Sequence, residues 1–240
     1  MFRKILVPLD GSALSERSIP WARALSTRRP VLLRAVEPIY FFDMSAPFYF
    51  PQLESQAKRY LREVVAEQAP GAHTLVRTGS PVAVVLETAR RIGADLIVAA
   101  RHDGSELSRR LLGGTTDRLI HRVPIPLLLV PARGTSFPPL AIHTMVAEES
   151  DAVMPWVRKL ARRHGSRIVG ASKELLVEAA RKHQADLVIT SAPRRNALQR
   201  LLFGDVTSPI VDRSPAPVLF VPSAAPVSAS LVAAGKGARS

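Results

Sequence analysis

The chain has 240 residues, 47% hydrophobic and 22% charged, a globular balance with length for one large domain or two small ones. It holds no cysteine, which excludes disulfides, thiolate metal sites and cysteine nucleophiles and fits a reducing compartment. The net charge of +13 is spread evenly, +6 over residues 1–132 and +7 over 133–240. No basic stripe interleaved with aromatics marks a nucleic-acid surface, so the excess reads as an arginine-rich composition rather than a polyanion site.

The chain opens MFRKILVPLD, where a short apolar run meets Asp10 at once. A secretory leader has a longer apolar region and a small-residue cleavage site. No stretch approaches the roughly 20 apolar residues of a membrane helix. A soluble, cytoplasmic protein is expected. Further on, Tyr40, Phe41, Phe42, Phe48, Tyr49 and Phe50 are six of the 13 aromatic residues, punctuated by Pro38, Pro47 and Pro51. The prolines predict a loop rather than a regular helix. Such a loop suits a lid, a partner patch or a membrane-surface contact, or else packs on its own sheet edge or on the second half of the chain.

Apolar residues at Val82, Val85, Leu86, Ala89 and Ile92 follow the helical period, and Gly93 stands where a helix ends. The run Leu96–Ala100, without polar alternation, reads as a buried parallel strand. Strand, helix and strand in alternation predict a doubly wound parallel α/β sheet.

An internal repeat sets the larger plan. Ala94-Asp95-Leu96 matches Ala185-Asp186-Leu187 at an offset of 91 residues. At the same offset Leu111-Leu112-Gly113 matches Leu202-Phe203-Gly204, and VPIPLLLVP ending at Pro131 matches SPAPVLFVP ending at Pro222. Upstream the offset changes: Pro20-Trp21 matches Pro155-Trp156 at 135, so the second copy lacks 44 residues, the length of one strand and one helix. The expected organisation is a complete unit over 1–132, a linker over 133–139, a shortened unit over 140–222 and a disordered tail over 223–240.

Several segments resemble the universal stress protein family. They are Lys4 to Ser12, Gly79-Ser80-Pro81, Gly93 to Val98, Leu111 to Ile120 and Pro124 to Pro131, together covering residues 2–131, with the second half matching in reduced form. The resemblance implies a five-stranded parallel sheet flanked by helices, a dimer formed through the last strand, and in many members bound ATP or AMP. In a tandem chain it implies that the halves pair with each other, with Leu127–Val130 and Val218–Val221 as the candidate seam. Otherwise a homodimer forms there, or both are simply buried central strands.

The resemblance also supplies candidate ligand residues. Pro8, Asp10 and Ala35 fall at positions lining the nucleoside, and Arg101 and His102 at positions facing phosphate. The family's phosphate loop runs Gly, two residues, Gly, nine residues, Gly and Ser. One alignment takes Gly104, nine residues, Gly114 and Thr115 as its later part, with Arg101 at the first glycine. The preferred one needs no insertion: it sets Ala100 and Asp103 at the early glycines and Gly113, Gly114, Thr115 and Thr116 at the helix-opening turn. Asp103 repels a triphosphate unless a cation such as Mg²⁺ intervenes. Asp10 has a second reading, as a turn-former and helix N-terminal charge.

In the second half the corresponding loop is Ser191-Ala192-Pro193-Arg194-Arg195, without glycine, and Asp205 follows Gly204. No counterpart of Asp10 is visible near Thr144-Met145-Val146, and no nucleotide is expected there. The six histidines show no metal-ligand spacing, and no nucleophile elbow or P-loop is present. The leading expectation is a non-catalytic regulatory or stress-response protein that binds ATP or AMP in its first half only. An interaction module without nucleotide and a slow ATPase are the alternatives.

Overall fold

A computed structural model describes residues 2–37, 46–101, 119–120, 122–132, 142–192 and 207–222, with the backbone alone for 46–50 and 207–209. The strands in chain order are β1 Ile5–Leu9, β2 Val31–Val36, β3 His73–Thr78, β4 Leu96–Ala100, β5 Leu127–Val130, β6 Thr144–Glu148, β7 Arg167–Ala171, β8 Leu187–Ser191 and β9 Val218–Val221. They form one nine-stranded sheet, ordered β3-β2-β1-β4-β5-β9-β8-β6-β7.

Every neighbouring pair is parallel except β5 and β9, which run antiparallel with Leu127 opposite Phe220, Leu128 opposite Leu219 and Leu129 opposite Val218. The two candidate seam strands therefore pair within one chain. All eight of their residues are at most 2% exposed. At about 1.5–3 kcal/mol for each buried aliphatic or aromatic side chain, separating the halves is costly.

The helices are α1 Ala13–Glu16, α2 Ser18–Leu25, α3 Ala46–Gln68, α4 Pro81–Ile92, α5 Met154–His164, α6 Leu176–Lys182 and α7 Thr207–Arg213. Proline in the first turn opens α4 and α5, where the missing N–H has no partner to lose. Gly93 and Gly165 close them in the left-handed conformation, at φ 62° and 66°.

One expectation is corrected here. Residues 46–50, read as part of an irregular loop, are the first turns of α3, which carries Pro51 in its interior. Pro51 removes one backbone hydrogen bond, yet the helix continues because Ala57, Leu61 and Val64 bury a stripe on the sheet. Pro47 lies in the first turn, where it is tolerated. The rest of the aromatic segment, with Tyr40, Phe41 and Phe42, lies outside the described residues.

The core has two layers, one on each sheet face, and each runs through both halves. Strand alternation divides the side chains: Leu96 and Val98 pack on one face with Trp21, Leu61 and Val157, while Ile97 and Ala99 pack on the other with Val85, Leu119 and Leu176. Phe2 stacks on Trp156 of α5, with ring centroids 6.1 Å apart. Among the described residues the first half supplies five strands and the second four, with no second-half counterpart of α3 and β3. Also among them, no helix is long and apolar enough to cross a membrane.

Candidate functional site

The site begins where β1 stops pairing with β4. Their ladder pairs Ile5 with Leu96 and Leu6 with Ile97 and goes no further, whereas β1 follows β2 as far as Leu9 opposite Arg34. Pro8 has no N–H to continue a ladder. A cavity of about 180 Å³ lies there, at the carboxyl ends of the strands. Its floor is small and apolar: Pro8 from β1, Ala35 from β2, Ala99 and Ala100 from β4, and Val85 of α4 beside them. Asp10 and Arg34 supply its charged wall.

Local chemistry fixes that wall. Asp10 Oδ1 accepts from the Ser12 N–H at 2.9 Å and from Ser12 Oγ at 2.5 Å. Ser12 caps α1 by accepting from the Ser15 N–H, and Ser15 Oγ accepts in turn from the Asp10 N–H at 3.3 Å. Gly11, at φ 88°, makes the turn between them. The Arg34 guanidinium packs against Gly11 and donates from Nη1 to the Leu9 carbonyl at 3.3 Å. The turn-forming role of Asp10 is thus visible in the geometry, at the edge of a cavity that its side chain also lines.

A second cavity of about 480 Å³ shares Arg34, Ala35 and Pro81 with the first and reaches under α3 to Gln56 and Tyr60. Tyr60 Oη donates to Glu16 Oε1 at 2.9 Å, and Gln68 Nε2 donates to Glu16 Oε2 at 2.5 Å, which ties α1 to α3. Burial, then the hydrogen bond and negative charge of Glu16, push the Tyr60 hydroxyl well above the usual tyrosine range.

Among the sequence candidates, Pro8, Asp10 and Ala35 line the first cavity together. Arg101 is buried just past β4, its N–H donating to the Val130 carbonyl at 2.8 Å, and is not part of that lining. His102, Gly104, Gly113, Gly114, Thr115 and Thr116 lie outside the described residues, as does the linker and tail assignment.

The equivalent place in the second half carries polar side chains that bond to one another. Pairing of Met145 with Leu187 matches that of Ile5 with Leu96, which sets Glu148 at the place of Pro8 and Thr190 and Ser191 at those of Ala99 and Ala100. Lys173, in the 3₁₀ turn just past the end of β7, reaches the same place from the side on which β2 carries Ala35. These four polar residues bond to one another. Glu148 Oε2 accepts from Thr190 Oγ1 at 2.6 Å and from the Ser191 N–H at 2.8 Å, and Ser191 Oγ reaches Oε1 at 3.0 Å. Lys173 Nζ donates to the Ser191 carbonyl at 3.1 Å. Burial alone works to raise the Glu148 carboxyl, but the hydrogen bonds of Thr190 and Ser191 and the charge of Lys173 outweigh it and hold the group below the usual carboxylate range.

Sequence reasoning missed this lock, although an acid ending β6, where the first strand of the other half carries Pro8, was the available signal. It also gave no role to the aspartate repeated in Ala-Asp-Leu. Asp95 accepts from the N–H groups of Arg3 and Lys4 at 2.7 and 2.9 Å, and Asp186 from those of His143 and Thr144 at 2.8 and 2.9 Å. Each clamps the first strand of its half to the neighbouring strand.

Comparison with known proteins fits this architecture. The sequence profile of the universal stress protein family matches residues 1–131 and again 142–222. A universal stress protein of Thermus aquaticus is 28% identical over 138 residues, 54% of this chain and 99% of that one. One of Methanocaldococcus jannaschii is 29% identical over 143 residues, 54% of this chain and 82% of that one. The crystal structure of a universal stress protein from Archaeoglobus fulgidus superposes over 91% of this chain and 96% of its own, with a TM-score of 0.66 at 14% identity, a likeness of fold. With two matched units joined in one sheet, the chain belongs to the universal stress protein family.

Proposed function

We propose that this protein is a non-catalytic, regulatory stress-response protein that binds one adenine nucleotide, ATP or AMP, in its first half. The observation that carries the reading is the contrast between equivalent places: Pro8, Ala35, Ala99 and Ala100 line a cavity with small apolar groups, whereas Glu148, Lys173, Thr190 and Ser191 bond to one another across theirs. The cavity lies between β1 and β4, from which the chain winds to opposite sides of the sheet, the switch point where open α/β sheets hold ligands.

The residues present suit a nucleoside. Flat apolar walls accept a base, and the Asp10 carboxylate supplies acceptor oxygens of the kind that bind ribose hydroxyls. By family resemblance, phosphate falls to the turn Gly113–Thr116, with Mg²⁺ accompanying ATP. Asp10 is the one carboxylate among the described residues lining the first cavity, which favours binding over hydrolysis.

Equilibrium dialysis with labelled ATP and AMP tests the reading. The native chain should retain nucleotide, and Ala35→Leu, which puts a branched side chain into the cavity, should lose at least about tenfold in affinity. Equal retention by both would refute it.

A further inference from the structure

The second half ends its side of the sheet at β7, and among the described residues no strand pairs with the outer edge of β7. Its counterpart β2 is paired there with β3 over six residues, Val31 opposite His73 to Val36 opposite Thr78. The direction of the free edge follows from the hydrogen bonds. The Arg167 N–H donates inward to the His143 carbonyl, and the Ala171 carbonyl accepts inward from the Glu149 N–H. Alternation along a strand then turns the N–H and C=O groups of Ile168 and Gly170 outward.

Natural edge strands are blunted by proline, bulges or inward-pointing charge. β7, of sequence Arg-Ile-Val-Gly-Ala, carries no proline, and its charge stands at one end only. The two large hydrophobic side chains exposed among the described residues, Ile168 at 38% and Leu175 at 53%, lie in β7 and in the 3₁₀ turn directly after it.

Charge at this edge favours a particular occupant. Exposed Arg162 and Arg163 end α5, and exposed Arg167 begins β7, with no ion pair to any of them among the described residues. At the far end the Glu149 side chain lies across Gly170, so the cationic end is the amino end of the strand. The other open edge of the sheet, β3, carries His73 and Arg77 and no acidic residue, so pairing β3 of one copy with β7 of another brings no counter-charge to Arg167.

We propose that β7 is a docking edge for an extended segment of a partner protein, acidic at the end lying beside Arg167 and β-branched where it covers Ile168, added as the strand that the second half lacks. Backbone bonds to Ile168 and Gly170 supply the affinity, and the arginines set direction and selectivity.

The test uses the full chain and a heptapeptide with two N-terminal glutamates followed by alternating valine and threonine, with a dilysine version as control. Hydrogen exchange should find the Ile168 and Gly170 amides fast in the free protein and slowed by about tenfold or more with the acidic peptide. The dilysine peptide should have no effect. Ile168→Pro removes an outward N–H without touching the β6 ladder and should abolish protection of Gly170; Arg167→Glu, which leaves the backbone intact and reverses the charge, should weaken it should the proline variant fail to fold. Amides already protected in the free chain would overturn the proposal, as would protection that appears only with self-association or is equal for both peptides.

Discussion

Leu128 faces Leu219 across the seam, and each is the other's counterpart in the 91-residue repeat. A local two-fold axis therefore passes between them, and the strands of the two halves run in opposite directions. The carboxyl ends of β1 and β4, with their cavity, and the carboxyl ends of β6 and β8, with the Glu148 lock, therefore face opposite ends of the strands. The two places do not share a ligand and do not cover one another.

The shared, buried seam predicts that the halves unfold as one unit. Leu128 is fully buried, so Leu128→Asp sets a charge in the core and should cost more than about 4 kcal/mol. The chain has one tryptophan in each half, Trp21 and Trp156. Urea unfolding followed in single-tryptophan variants should give coincident transitions in the native background. Separated midpoints would mean that the halves unfold independently.

Transplanting the lock should close the first cavity. Pro8→Glu, Ala99→Thr and Ala100→Ser reproduce the second-half residues at register-equivalent places, and Ala35→Lys supplies the ammonium group that Lys173 brings to that set. The fourfold variant should keep its circular dichroism spectrum and lose at least about tenfold in nucleotide affinity, because the cavity is then occupied by bonded side chains. Unchanged binding in a folded variant would show that the ligand lies elsewhere.

Glu148→Ala leaves Thr190 Oγ1 and the Ser191 N–H without their carboxylate and should lower stability by about 1–3 kcal/mol in denaturant titration. Acid should act in the same direction. The folded carboxyl lies below its ordinary 4.5, so the unfolded chain binds more protons there; this stability is present above pH 4.5 and lost as pH falls through the folded value. His164 is similar: burial and then Arg163 hold it below its ordinary 6.5, so its contribution is present above pH 6.5 and lost below. Melting temperatures from pH 8 to 4 should fall less steeply below pH 6.5 in His164→Phe and below pH 4.5 in Glu148→Gln. Parallel curves for native and variant chains would remove these groups from the acid response.

Much of this fold was legible because parallel strands buried on both faces leave continuous apolar runs. Leu96–Ala100 and the matched pair Leu127–Val130 and Val218–Val221 could be read in that way. The 44-residue deletion appeared as a change of offset, and among the described residues no second-half counterpart of α3 and β3 is present. Residues 46–50 were misread because proline is a local signal, whereas the burial of Leu61 and Val64 that holds α3 in place is tertiary. The lock stayed hidden for the same reason: Glu148, Lys173 and Thr190 are far apart in the chain and meet only in the folded sheet. Pro8, Asp10 and Ala35 were found by resemblance, and the cavity they line comes from the parting of β1 and β4.

Calorimetric titration of the native chain with ATP and AMP, with and without Mg²⁺, tests the central claim most directly. A single site in the first half predicts one nucleotide per chain, with binding lost in Asp10→Ala and unchanged in Lys173→Ala. Two nucleotides per chain, or no heat at millimolar ligand from a folded protein, would contradict it.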